Sequence, residues 1–182
     1  MRSWVYRRVV IMECWLDRPL PEVSPQVPVR IGPITADDLP AYARFRPETD
    51  RAAIRERLEQ GARCFAAWLG EEIVHAGWAV TRGARVDFLD CALPLEPGDV
   101  FQFDSHTAPA FRGLDLAGAR VAWMARFYRD AGARRLLAVV WPNNMQAFRP
   151  LEKAGYRPGG WIRAIRLGPF RHVIHRRSPS RQ

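Results

Sequence analysis

Hydrophobic positions in this chain follow two spacings, and each spacing predicts one kind of element. Continuous or alternating runs of β-branched and aromatic residues predict strands. These runs cover residues 5–16, 29–34, 64–69, 73–80, 85–89, 100–107, 136–141, 156–167 and 170–175. Apolar residues at helical spacing, with capping residues before them and glycine near their ends, predict helices over residues 36–44, 51–60 and 144–154 and after Arg112.

The helix that begins just after Arg112 has the clearest pattern. Its apolar positions are Leu114, Ala117, Val121, Met124, Ala125 and Tyr128. The positions expected on the opposite, polar side are Arg120, Arg126, Arg129 and Asp130. The helix should end at Gly132, and the apolar run that follows is typical of a strand buried on both faces.

Length and composition predict one domain and exclude several classes of protein. A chain of 182 residues with 48% hydrophobic residues can bury one core. Residues 1–28 read as an N-terminal strand and a proline-rich linker, 29–177 as the domain and 178–182 as a tail. No window reaches the ~20 apolar residues of a membrane span, and no signal peptide is indicated, so a cytoplasmic location and no membrane partner are expected.

A net charge of +9 is typical of proteins that bind nucleic acid, but the distribution of the basic residues along this chain disfavours such a partner. Lys153 is the only lysine, and the arginines are spread along the chain. Such usage is typical of a GC-rich, bacterial-like genome, although a basic surface would still attract a polyanionic ligand. The three cysteines are widely separated and lack any C-x-x-C pair, so no metal is expected.

Residues 100–118 carry the candidate chemistry. A predicted strand ends before Pro109, an arginine-glycine turn follows, and the long helix begins. The unpaired amides and partial positive charge of a helix N-terminus suit phosphate. Arg112 stands just before this N-terminus and could contact the same phosphate.

Two motifs in this region resemble the GNAT acyltransferases. T-A-P-A-F-R-G-L-D-L-A-G-A, residues 107–119, is similar to the cofactor motif R/Q-x-x-G-x-G/A after a small-x-Pro turn. W-P-N-N-M-Q-A-F-R-P-L-E-K-A-G-Y, residues 141–156, resembles the second signature, N-x-x-A-x-x-x-Y-E-K-x-G-F. The motifs stand in the expected order, with a helix and a strand between them.

The resemblance implies a fold and a donor. The fold is α/β (α+β), a single GNAT-like domain with a central mixed, mostly antiparallel sheet and about four flanking helices. The strand from Val100 to Thr107 and the strand from Leu136 to Trp141 should splay apart to admit pantetheine. The donor would be acetyl-CoA or another acyl-CoA, held by Ser105, His106, Thr107, Arg112, Gly113, Leu114, Asp115, Leu116, Ala117, Gly118 and Asn144.

The chain departs from the family pattern at two positions. Asp115 stands where the motif usually has glycine, so its carboxylate either faces the pyrophosphate or turns outward and stabilises the first helical turn. Leu151 stands where many members carry the tyrosine that protonates the leaving thiolate. Both departures leave open a catalytically idle domain that binds acyl-CoA or a protein partner.

Amine acylation needs a group that removes a proton, and three candidates lie on one strand. They are His106, Asp104 and Ser105. Strict alternation predicts that Asp104 and His106 share one face, while Phe103 and Ser105 share the other. The expected activity is transfer of an acyl group, by default acetyl, from CoA to a primary amine of a small molecule or peptide. A donor on an acyl carrier protein and a homodimer are left open.

Overall fold

Eight strands form one mixed sheet in the computed structural model, which describes residues 4–167 and 170–177. The strands of the chain are β1 Trp4–Trp15, β2 Arg30–Pro33, β3 Arg63–Leu69, β4 Glu72–Val80, β5 Arg85–Val86, β6 Cys91–Ala92, β7 Asp99–Thr107, β8 Arg135–Val140, β9 Arg157–Leu167 and β10 Phe170–Arg177. The sheet order is β10-β9-β1-β8-β7-β4-β3-β2, and β5 pairs with β6 in a separate ribbon. Only β7 and β8 pair in parallel among the described strands, which confirms the mixed, mostly antiparallel sheet.

Four α-helices in the described part of the chain cover the two faces of this sheet. They are α1 Leu39–Phe45, α2 Arg51–Glu59, α3 Leu116–Asp130 and α4 Met145–Lys153. Neighbouring residues of β3 show the division, because Cys64 packs in a cluster with α1 and α2 while Phe65 packs in a cluster with α3 and α4. None of these helices is both long and apolar enough to cross a membrane.

The first strand lies in the middle of the sheet. β1 pairs with β8 on one side and with β9 on the other, both antiparallel. Val9 and Ile11 pack on the face opposite α3, whereas Met12 and Cys14 pack beneath α3 and α4. The strand that the sequence pattern grouped with a linker ahead of the domain is therefore a central strand, and burial on both faces explains its nearly continuous apolar run.

The proline-rich linker packs back onto α3. Val23 contacts the cluster under α3 and α4, and the Gln26 N–H donates to the Leu114 carbonyl at 3.0 Å. These contacts bring the linker to the loop that precedes α3. The Gly168-Pro169 turn and the 178–182 tail lie outside the described residues.

β7 and β8 stay paired for only part of their length. Their parallel register runs from Asp99 opposite Arg135 to Gln102 opposite Ala138. Beyond this point the strands diverge, and the predicted splay is confirmed. The backbone edge of β7 after Gln102 therefore has no strand partner on that side.

A buried ion cluster locks the paired end. The Arg135 guanidinium donates to the Asp99 carboxylate through Nε at 2.9 Å and Nη2 at 2.8 Å, and to Glu13 at 3.3 Å. Glu96 and Arg177 complete the cluster at its exposed side. Burial raises the pKa of Glu13 above its ordinary value, against the lowering effect of Arg135. The cluster ties β1, β7 and β8 together where the sheet must stay closed.

Removing the Asp99 charge should lower the free energy of unfolding much more than removing the Glu13 charge. Asp99→Asn breaks the bidentate pair and leaves a buried guanidinium poorly compensated, so we expect a loss of about 3–5 kcal/mol in the free energy of unfolding. Glu13→Gln keeps that pair and should cost about 1 kcal/mol. Urea unfolding of both variants at pH 7 measures the difference. Equal losses would contradict the role of Asp99 as the anchor.

Candidate functional site

The divergence of β7 and β8 opens a cleft of about 860 Å³. Its walls are the second half of β7, the end of β8, the start of α3 and the inner side of α4. Almost every residue selected from the sequence lines it: Asp104, Ser105, His106, Thr107, Arg112, Gly113, Leu114, Asp115, Leu116, Ala117 and Asn144. Gly118 is buried and lies outside this lining, and a Cβ there would come within 3.1 Å of Val23.

The start of α3 presents backbone amides to the cleft. The first N–H of this region with a helical partner is that of Ala119, which donates to the Asp115 carbonyl at 3.0 Å. The amides before it belong to the first turn, which has no earlier carbonyls to bind. Gly113 and Asp115 both adopt positive φ, 82° and 57°, so the chain turns sharply here. Asparagine and aspartate tolerate this region better than other non-glycine residues, which explains how Asp115 replaces a glycine.

The Asp115 carboxylate turns away from the helix amides. It makes no capping hydrogen bond. Instead it accepts from Lys153 Nζ of α4 and from Gln26 Nε2 of the linker, the latter at 3.2 Å. Lys153 and Gln26 together hold the pKa of Asp115 below its usual value, with Lys153 as the larger influence. The Asp115 carboxylate therefore turns outward without capping the helix, and its charge is paired with Lys153 at the cleft mouth.

Basic side chains surround this mouth. Arg112 and Arg149 are exposed at its rim, and Lys153 lies beside Asp115. Asn144 caps α4, because its side-chain oxygen accepts from the Ala147 N–H at 3.2 Å. The rim therefore carries positive charge where the amides of α3 point.

A β-bulge divides the functional side chains of β7. Phe103 is opposite Trp78 and His106 is opposite Ala76, so Asp104 and Ser105 together face Gly77 alone. Asp104 takes a positive φ of 47° in this bulge. Asp104 and His106 share one face, as the sequence predicts. The prediction that Phe103 and Ser105 share the other face is wrong, because the extra residue in the bulge interrupts the alternation of side chains.

The face toward α1 and α2 holds Asp104 and His106. Both Asp104 oxygens are engaged, with Arg46 Nη1 at 3.2 Å and Arg57 Nη1 at 2.8 Å. The His106 ring lies 5.5 Å from the Phe45 ring, edge to face. Burial and the nearby Arg46 guanidinium lower the pKa of His106, so its imidazole is neutral at pH 7 and can accept a proton.

The opposite face holds a charged residue that the sequence pattern assigned to solvent. Arg120 of α3 is only 1% exposed. Its Nη2 lies 3.4 Å from Ser105 Oγ, its Nε 3.3 Å from His75 Nε2 and its Nη1 3.5 Å from Met124 Sδ. The prediction of a solvent-facing Arg120 is wrong. The signal was present, because residue 120 lies one turn from both Leu116 and Met124, which are buried.

Two neighbours make room for the Arg120 guanidinium and orient it. Gly77, opposite the bulge, has no side chain, and a Cβ there would come within 2.8 Å of Arg120 Nη2. Arginine can only donate, so His75 Nε2 must accept and His75 Nδ1 carries the proton. His75 Nδ1 therefore donates to Thr107 Oγ1 at 2.8 Å. Burial, and then the charge of Arg120, hold the pKa of His75 well below its usual value, so the imidazole stays neutral.

The α4 side of the cleft is apolar at Leu151, which is 6% exposed.

Tyr156 of the second motif does not line the cleft. It is buried, and its hydroxyl contacts the Gln102 amide at 2.9 Å, where β7 and β8 part. Among the described residues, no three His, Cys, Asp or Glu side chains are grouped so that they could hold a metal ion.

No protein-family model and no curated protein sequence matches this chain. Solved structures do match. One is a protein assigned to the GNAT acetyltransferases of Novosphingobium aromaticivorans, with a TM-score of 0.61 and 16% identity over 92% of this chain and 67% of that one. Another is a GNAT acetyltransferase of Colwellia psychrerythraea, with a TM-score of 0.61 and 12% identity over 90% of this chain and 55% of that one. This chain thus spans between about half and two thirds of these proteins.

A smaller protein with a similar fold has been solved with CoA. It is the aminoglycoside N-acetyltransferase AAC(6')-Iy, with a TM-score of 0.54 and 19% identity over 70% of this chain and 91% of that one. The parallel pairing that opens between β7 and β8, the α3 N-terminus at the opening and these structural matches agree. The chain has the fold of the GNAT acyl-CoA N-acyltransferases.

Proposed function

We propose that this protein is an N-acyltransferase that moves an acyl group, by default acetyl, from CoA to a primary amine of a small molecule or peptide. The observation that carries the proposal is the cleft between β7 and β8, with free α3 amides and Arg112 at its mouth. The fold it shares with a CoA-bound aminoglycoside acetyltransferase supports the same donor.

The cleft suits the three parts of CoA in sequence. The amides of residues 113–117 and the Arg112 guanidinium would hold the pyrophosphate. The unpaired backbone edge of residues 105–107 would hydrogen-bond the pantetheine amides, as a strand partner does. The thioester would then lie near the point where β7 and β8 part, beside a strand amide that can stabilise the developing oxyanion.

The acceptor amine would enter from the face of α1 and α2. His106 lies there as a neutral imidazole and would take the proton, directly or through water. Asp104 is paired with Arg46 and Arg57. We therefore propose that Asp104 positions these guanidinium groups and does not accept the proton. If CoA binds and no amine is acylated, the protein is an acyl-CoA binding domain, a reading that Leu151 favours.

CoA should bind with micromolar affinity, and Arg112→Ala should weaken binding about tenfold, because one charge-assisted phosphate contact is lost. Isothermal titration calorimetry at two salt concentrations measures both, and added salt should weaken binding. Arg129→Ala on the far end of α3 is the matched control and should bind as the parent does. No heat from CoA or acetyl-CoA at millimolar concentration would contradict the cofactor site.

Asp115 and Lys153 should oppose each other in CoA binding. Asp115→Asn tolerates the positive φ and releases Lys153, so affinity should rise several-fold. Lys153→Met leaves the carboxylate unpaired beside the pyrophosphate and should lower affinity by a similar factor. The double variant should bind as the parent does. Equal affinity in all four proteins would show that this pair faces away from the cofactor.

His106→Ala should lower kcat by roughly 10²-fold or more and leave CoA affinity nearly unchanged. Because the pKa of His106 is lowered, the base is active at neutral pH and is lost as pH falls through that pKa, so the rate should fall in acid. Thiol release over a panel of amines, including an aminoglycoside and an alanyl peptide, supplies the assay. His175→Ala on β10 is the control, and parent-like turnover in His106→Ala would exclude His106 as the base.

A further inference from the structure

Arg120 is the charged group that the proposed mechanism leaves unused. Its side chain is buried, and no carboxylate among the described residues pairs with it. Its three contacts are an imidazole nitrogen, a thioether sulfur and a hydroxyl, all at 3.3–3.5 Å. A buried cation without an anion is costly, and an apolar residue of similar size is often at least as stable. The position therefore favours a negative charge that arrives with a ligand.

Ser105 connects this cation to the cleft. It is exposed and lines the cleft, and the buried Arg120 borders the same cleft beside it. Arginine only donates, so Ser105 Oγ accepts from Arg120 Nη2, and the Ser105 O–H remains free to donate into the cleft. A hydroxyl that accepts from a cation is a stronger donor, and charge-assisted bonds are the strong ones. The arrangement stabilises an anion within hydrogen-bond reach of Ser105.

Besides the oxyanion that we assign to a strand amide, the reaction creates one further anion in this part of the cleft, the leaving thiolate. With the pyrophosphate at the α3 amides and pantetheine along residues 105–107, the sulfur end of CoA reaches the β7 side of the cleft. The facing α4 wall is apolar at Ala147, Pro150 and Leu151, and these three side chains offer the sulfur no hydrogen bond. His106 projects to the other face of β7, where the acceptor enters.

We propose that Ser105, polarised by Arg120, donates a hydrogen bond to the CoA sulfur as the thioester breaks. Ser105 is then a catalytic residue and Arg120 a positioning residue, and the inference rests on the proposed function. The amine nitrogen forms the C–N bond and its proton passes to His106. The C–S bond breaks with its electron pair on sulfur, and CoA leaves as a thiolate that takes a proton from solvent. Ser105 keeps its own proton throughout.

The charge of Arg120 persists over the working pH range. Burial lowers the pKa of Arg120 to about 10, so the guanidinium stays protonated up to about pH 9. His75 on its other side is neutral and adds no competing charge. A thiolate bound beside Ser105 therefore meets the same hydrogen bond and the same cation from pH 7 to pH 9.

The ionisation of bound CoA tests the proposal without an acceptor. The thiolate absorbance of protein saturated with CoA is followed from pH 7 to 9.5, with the desulfo-CoA complex as the blank. The blank removes the protein's own titration, and Cys14 and Cys64 add little signal, since burial raises the pKa of Cys14 to about 11 and that of Cys64 further. We expect the thiol of bound CoA to have a pKa about 1 below that of free CoA, a tenfold preference for the thiolate.

Ser105→Ala and Arg120→Met should each return the thiol pKa to that of free CoA, while Ser105→Thr should keep most of the effect. Ser24→Ala in the linker and Arg129→Met on α3 are the matched controls and should behave as the parent. A parent complex that titrates like free CoA, or a shift that survives in Ser105→Ala, overturns the inference. Absence of binding by both CoA and desulfo-CoA overturns the proposed function itself. If Arg120→Met does not fold, Ser105→Ala decides.

Stability separates a functional Arg120 from a structural one. Arg120→Met removes an uncompensated buried charge, so Tm of the ligand-free protein should rise by about 2–4 °C. The acceptor for this measurement is an amine from the panel that the parent protein acylates. With this acceptor, kcat should fall about tenfold or more in Arg120→Met and Ser105→Ala, and KM for acetyl-CoA should not change. Arg120→Lys should recover part of kcat. A lower Tm together with parent-like kcat would show that Arg120 only supports the fold.

Discussion

The cleft depends on a parallel strand pair that is held closed at one end and kept apart at the other. Arg135 and Asp99 close the pair from inside the sheet, and β1 covers the other edge of β8. Beyond Gln102 the backbone of β7 has no partner on the β8 side. Unpaired backbone groups in a sheet are costly unless something binds them, so the open end is suited to an extended ligand with amides of its own.

The bulge at Asp104 gives this opening two chemically different sides. An additional residue opposite Gly77 sends Asp104 and His106 toward α1 and α2, and Ser105 and Thr107 toward α3. One side holds a neutral imidazole, which suits proton removal from an amine. The other side holds a hydroxyl backed by a guanidinium, which suits a sulfur that gains charge. In the reaction that we propose, the attacking amine and the leaving sulfur would be served from opposite faces of one strand.

Charge at the cleft is balanced by contacts between distant segments. The αL turn before α3 usually requires glycine, and Asp115 adopts it while pairing with Lys153 of α4 and Gln26 of the linker. That pair removes much of the repulsion that an isolated carboxylate would exert on a pyrophosphate. Arg120 has no such partner in the described chain, and the close approach of its guanidinium to β4 is allowed only because Gly77 lacks a side chain.

Elements with local causes could be predicted from the amino-acid sequence alone. Hydrophobic spacing located β7, α3, β8 and α4, and the proline-arginine-glycine turn located the candidate anion site, because periodicity and turn chemistry act between near neighbours. Three other features could not be predicted in this way. The insertion of β1 between β8 and β9, the burial of Arg120 and the pairing of Asp115 with Lys153 depend on contacts between segments far apart in the chain. The side on which Ser105 points depends on a bulge set by the register with β4, which the alternation of one strand cannot reveal.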